Sequence, residues 1–227
     1  MLKRKLTQAD VLLIAANLVP VYGVWFLGWS GVEAFIVYAL ETLIIGAIAL
    51  LKMLIVTIVR GKDTWYNQGT STRVSGLFFM AFFTVHFGLF AAVQTSIFSN
   101  AAGIVPAGGG LLHFFFHWYD YINRDIAIML GAFVIGYLWK SFVPFVLNAE
   151  YKTVSMMKLM FQPYGRIFIQ QFTVILGSMF LTFGNGGGKG FILVFALIKI
   201  FFEIYINFEG IIDKSMTDME KEAGKKQ

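Results

Sequence analysis

GVEAFIVYALETLIIGAIALLKMLIVTIV, residues 31–59, decides the class of this chain. The run is apolar almost throughout, and its charged residues are Glu33, Glu41 and Lys52. A helix of about 20 apolar residues crosses the hydrocarbon core of a bilayer. This run exceeds that length, so as a spanning helix it tilts or projects. Glu41 lies about ten residues in, near the midplane at about 1.5 Å per residue.

On either side the same pattern recurs. Residues 10–29 read as a first span, with Asp10 as N-cap and Pro20 as a kink that a membrane bundle tolerates. Ser30-Gly31 leaves room only for a tight turn, so the first two spans form an antiparallel hairpin. Further spans are expected at 74–98, 126–147, 166–183 and 190–209. The expected fold is all-α: a polytopic bundle of about six spanning helices plus interfacial helices, in a single transmembrane domain over 1–227. Between the spans lie a polar, basic loop (Arg60–Arg73), a loop at 99–110 and an aromatic stretch at 111–125 (LLHFFFHWYDYINRD). That stretch is too short to cross and reads as interfacial or re-entrant. Residues 149–165 read as an amphipathic surface stretch ended by Gln162-Pro163-Tyr164-Gly165, and 184–188 as a flexible glycine turn. The tail at 211–227 is charged, with a disordered end expected beyond Asp213.

Composition agrees with a membrane protein. Hydrophobic residues make up 58% of the chain and charged residues 14%, against roughly 45–50% and about 25% in soluble domains. The absence of cysteine excludes disulfides, thiolate metal sites and cysteine nucleophiles. The net charge of +5 does not imply nucleic acid, because the basic residues follow topology. With the N-terminus in the cytoplasm, Lys3, Arg4, Lys5, Arg60, Lys62, Arg73, Lys152, Lys158, Arg166, Lys214, Lys221, Lys225 and Lys226 fall inside. Only Arg124 and Lys189 fall outside, while Lys52, Lys140 and Lys199 lie within spans. This bias predicts cytoplasmic termini and a multi-pass protein of the bacterial inner (plasma) membrane. The apolar run after the basic start lacks a small-residue cleavage site, so it reads as a span rather than a cleaved signal.

Charge inside a span is costly and marks candidate sites. Glu41 is the first: a proton or cation site, or a neutral carboxyl that glues helices together. Glu33 is offset from it by about 80° around the helix, with Tyr38 between them as a possible hydrogen-bond donor. His86 sits at mid-span in 74–98, with Gln94 on a similar face, and can relay protons or pack as a neutral ring. Lys199, Glu203 and Asn207 share a helix face, where Lys and Glu four apart can neutralise each other. Asn17 and Thr42 are further polar candidates on the first hairpin, and Lys140 can snorkel. His113, His117 and Asp120 stand on one face if 111–125 is helical, a weak His₂Asp set for a divalent metal. Without a metal they are wet histidines in an aromatic belt. The glycine run at 184–190 lacks the features of a phosphate loop.

NLVPVYGVWFLGW (17–29), ETLIIGAIALLKM (41–53) and PYGRIFIQQFTVILG (163–177) together resemble a bacterial family of six-helix integral membrane proteins classed only as a domain of unknown function. The resemblance reaches from the first helix to Glu203. It implies that Asn17, Glu41 and His86 belong to the family pattern, and it supplies no activity. In that pattern a second histidine often follows the first, where this chain carries Gln94.

Three functions fit. The first is a small transporter or channel-like protein for a proton, ion or small solute, using Glu41, His86, Glu203, Lys199 and Asn17. Six helices leave little room for a wide path, so a homo-oligomer is expected. The second is a structural or assembly subunit of a membrane complex. The third is a membrane-embedded metalloenzyme acting on a lipid-like substrate.

Overall fold

The structure is a computed structural model that describes residues 8–67, 69–101, 103–106, 112–165, 167–169, 171–172, 188–206 and 208–225. Most of it is helical. In chain order come α1 (Gln8–Phe26), α2 (Gly31–Arg60), β1 (Lys62–Asn67), β2 (Thr70–Ser75), α3 (Gly76–Ala101), α4 (His113–Phe116) and a 3₁₀ turn (Trp118–Tyr121). Then follow α5 (Arg124–Tyr137), a π-helical segment (Leu138–Phe142), α6 (Val143–Leu147), a second 3₁₀ turn (Glu150–Lys152), α7 (Met156–Phe161), α8 (Gly188–Tyr205) and α9 (Phe208–Lys225). Among the described residues, three helical stretches are long and apolar enough to cross a membrane: Ile36–Arg60, Gly76–Ile97 and Arg124–Leu147. Most of the span expected at 166–183, and the glycine turn as far as residue 187, lie outside the described residues.

The chain forms two compact units. The first comprises residues 1–40, 92–127 and 168–207. In it α1 packs along α8, and the Trp25 indole donates to the Lys189 carbonyl (3.3 Å). The end of α1 explains its Gly-Trp pattern. Leu27 N and Trp29 N both donate to the Gly23 carbonyl (3.0 Å each), and Gly28 takes φ +77°, a conformation open to glycine. Trp29 folds back over Gly23, where a Cβ would lie 1.8 Å from the indole. α2 then starts with a capping box. Glu33 N donates to Ser30 Oγ (3.0 Å) and Ser30 N to Glu33 Oε2 (3.2 Å). Glu33 Oε1 also accepts from Asn123 Nδ2 (3.0 Å).

The aromatic stretch at 111–125 is broken rather than continuous. α4 ends at Phe116, His117 leaves helical geometry at φ −119°, and a 3₁₀ turn follows.

The second unit comprises residues 41–91, 128–167 and 208–227. Here α2 and α3 run antiparallel at close range. A Cβ on Gly46 would meet Phe87 at 2.5 Å, and one on Gly76 would meet Thr57 Oγ1 at 2.2 Å. The connection expected as a loop is a β-hairpin, paired from Lys62↔Ser75 to Asn67↔Thr70. Thr, Val, Trp and Tyr favour a pleated, half-buried strand, and Gly69 supplies the positive φ of the turn (75°). Trp65 seats the hairpin on α3, its ring 5.4–5.5 Å from Phe78, Phe79 and Phe82.

Two further expectations change. The stretch at 149–165 does not lie as a surface helix. Met156, Met157, Leu159 and Met160 of α7 enter the core with Met53, Phe79, Phe83 and Phe87. The tail is a helix, α9, not a disordered end. It packs on α7 and the hairpin, with Met216 and Met219 against the same core and Lys158 Nζ paired with Asp213.

Candidate functional site: a buried polar seam on α2

Glu41 and Lys52 are both buried, at 2% and 8% exposure. Eleven residues separate them, which places them about 20° apart around α2 and about 16 Å apart along it. Both reach the same neighbouring segment. The Tyr137 phenol donates to Glu41 Oε1 at 2.6 Å. Lys52 Nζ donates to Ser141 Oγ at 2.8 Å and lies over the Phe145 ring, 5.1 Å from its centroid. The order of contacts, 41 with 137 and 52 with 141 and 145, makes the two segments parallel.

Between the two contacts the neighbouring helix widens to π geometry over Leu138–Phe142. Pro144 follows at the start of α6. Proline lacks an N–H, and its ring clashes with the carbonyl four residues earlier, that of Lys140. The helix relieves the clash by opening its register. Such segments occur often at functional sites. Here Ser141, the lysine's partner, lies within the bulge. The span expected at 126–147 is therefore continuous in length but interrupted in geometry.

A family pattern covers residues 1–225, essentially the whole chain. The chain belongs to DUF6498, a family of unknown function. No curated protein and no solved structure matches this DUF6498 member.

The other residues singled out in the DUF6498 sequence fall in separate places. His86 is exposed on α3. Its Nδ1 lies 2.6 Å from Tyr164 Oη, and its ring stacks on Phe82 (5.3 Å, 13°) and tilts against Phe90 (5.0 Å). Gln94, expected near His86, instead donates to Gln171 Oε1 (2.7 Å). Lys199 is buried, with Nζ 4.5 Å above the Tyr38 ring. Tyr38 turns from the glutamates and donates to the main-chain carbonyl of buried Asn17 (3.3 Å). These three link α1, α2 and α8 within the first unit. Glu203 lies on α8, but its side chain and Asn207 are outside the described residues.

His113 and His117 stack face to face (4.3 Å, 14°). His117 Nδ1 bonds the His113 carbonyl (3.0 Å), and Tyr121 Oη lies 3.4 Å from His113 Nδ1. Asp120 is exposed in the 3₁₀ turn. The helix on which the three were expected to share a face is interrupted at His117. Among the described residues, no group of three or more His, Asp or Glu side chains is placed to hold a metal ion.

Sequence reading did not single out Lys52 as a site residue, and it missed Asp63. Asp63 Oδ2 accepts from Arg60 Nη2 (3.0 Å) and Met156 N (2.7 Å), and its Oδ1 from Thr64 N (2.8 Å). Arg60 also donates to the Val154 carbonyl. This knot ties the end of α2, the hairpin and α7 together. Beside it the Tyr66 phenol is pushed above its usual 10.0 by burial first, then by the Glu220 and Asp63 carboxylates.

Proposed function

We propose that this chain is a multi-pass inner-membrane protein of about six spans with cytoplasmic termini, and that it moves protons along the Glu41–Lys52 seam. One observation carries this reading. A buried carboxylate and a buried ammonium lie on one face of α2, and both reach a parallel, π-bulged segment. Ionisable groups inside a span mark proton relays and ion paths. Carboxyl, phenol, amine and hydroxyl are all groups that exchange or pass protons. The separation of the basic residues in sequence supports the orientation. Six helices enclose little space, which favours a homo-oligomer.

The test is proton flux into liposomes holding the purified protein and a trapped pH dye, driven by a potassium-diffusion potential. The expected result is flux above empty liposomes that Glu41→Gln abolishes. Wild-type flux equal to empty vesicles, or unchanged flux in Glu41→Gln, overturns the proposal.

An assembly subunit is the second reading. It is favoured by the same contacts, since a carboxyl or amine bonded to a neighbouring segment is also how polar residues hold membrane helices together. Under that reading Glu41→Gln lowers thermal stability or assembly, and no flux is found.

A further inference from the structure

His86 raises a question that the Glu41–Lys52 seam does not answer. It is near the middle of the membrane-length stretch Gly76–Ile97, about 15 Å from either end. Yet it is exposed. Its surroundings are apolar and open: Val85 and Leu89 are 71% and 61% exposed, and Phe82, Phe90 and Phe161 are also exposed. At that depth the medium facing such a surface is hydrocarbon.

The imidazole is half satisfied. Tyr164 Oη is 2.6 Å from Nδ1. A phenol O–H is a stronger acid than a neutral imidazole N–H, so the phenol donates and the ring proton sits on Nε2. Among the described residues the contacts of His86 are Tyr164, Phe82 and Phe90, and none of these meets Nε2–H. An unmet polar hydrogen in an apolar medium is unfavourable. The site therefore favours any oxygen acceptor that can reach it. Phospholipid headgroups stay at the interface, whereas quinones carry carbonyl oxygens on a flat ring that dissolves in the membrane interior. Phe82, Phe90, Phe161 and Tyr164 offer such a ring apolar and edge-on surfaces.

We propose that His86, oriented by Tyr164, is the hydrogen-bond donor of a site for a lipid-soluble quinone that opens to the membrane interior from α3. The site rests on the membrane placement proposed above, and it stands whether or not the α2 seam carries protons.

The experiment uses the full chain in lipid nanodiscs and decylubiquinone as probe. Equilibrium binding is measured, and an azido derivative of the probe maps its position by crosslinking. Saturable binding is expected, with crosslinks in Gly76–Ala91 or Phe161–Gly165. His86→Leu should weaken it about fivefold to tenfold, the value of one hydrogen bond. His86→Gln keeps an N–H donor and should retain most of the affinity. Unsaturable partitioning, equal affinity in His86→Leu, or crosslinks confined elsewhere would overturn the proposal. So would a dimer that His86→Leu converts to monomer without any saturable quinone binding, since a second copy would then cover the histidine.

Discussion

Asp63 and Glu41 are carboxylates of the same compact unit, about as different in role as two carboxylates can be. Asp63 lies at the hairpin, where a guanidinium and two main-chain N–H groups converge on it. Glu41 lies in α2, where a phenol donates to it at 2.6 Å and a buried lysine follows on the same face. Main-chain donors do not give up protons, so Asp63 is built to hold backbone segments in place. Side-chain hydroxyls can, and that is the property the proposed proton path draws on at Glu41. The partner, more than the burial, separates the two carboxylates.

The strongest way to break this comparison is to neutralise both. Glu41→Gln should cut proton flux by at least about a hundredfold, the lower end of what a positioned proton-transfer group contributes, while the protein stays folded. Asp63→Asn should leave flux per folded molecule near wild type. It should destabilise by about 2–3 kcal/mol, since it removes a charge-assisted bond and leaves donors unmet, read as a fall in melting temperature in detergent. Equal effects of the two variants on flux would erase the distinction.

Gly76→Ala asks how tightly the hairpin end is seated. Its Cβ would sit 2.2 Å from Thr57 Oγ1, so overpacking should cost about 1–3 kcal/mol. Thr57→Ala in the same chain should recover most of that. Failure of the rescue would mean that the helices separate there at little cost.

Glu33→Gln sharpens the contrast from the other end of α2. Glu33 closes a capping box, and Gln can serve there too. Stability should change by less than about 1 kcal/mol, and flux should not change. A flux loss matching that of Glu41→Gln would extend the seam to Glu33.

The smallest effect is at Tyr66. Its pKa is raised, chiefly by burial and then by Glu220 and Asp63. The neutral phenol is therefore favoured by the fold. That stabilisation is complete below the unfolded value of 10.0 and fades as pH rises through the higher folded value. Tyrosinate absorbance, compared with Tyr66→Phe, should show one late-titrating phenol, and Glu220→Gln should move it earlier. No shift on Glu220→Gln would mean that α9 does not act on the hairpin electrostatically.

Some of what sequence reading overlooked was legible. Ser30-x-x-Glu33 is a capping-box pattern, and Thr, Trp, Tyr and Val around Gly69 are strand formers about a turn. The polarity of that stretch outweighed its β-propensity and led to a loop. The helicity of the tail was less visible. α9 is charged on its outer face, and its order comes from Met216 and Met219 entering a core contributed by distant segments.

The sequence by itself determined the long apolar helices and how far Glu41 and His86 stand from their ends. Bilayer thickness and the helical rise convert directly into residue counts, and no neighbour is needed to read them. Only the tertiary structure decided what each polar group meets. Tyr137 is 96 positions from Glu41, and Ser141 is 89 from Lys52. Lys52 became a site residue, and His86 left the carboxylate's company for Tyr164, because hydrogen bonds are set by distances in space. Helix periodicity fixes only the face on which a residue stands.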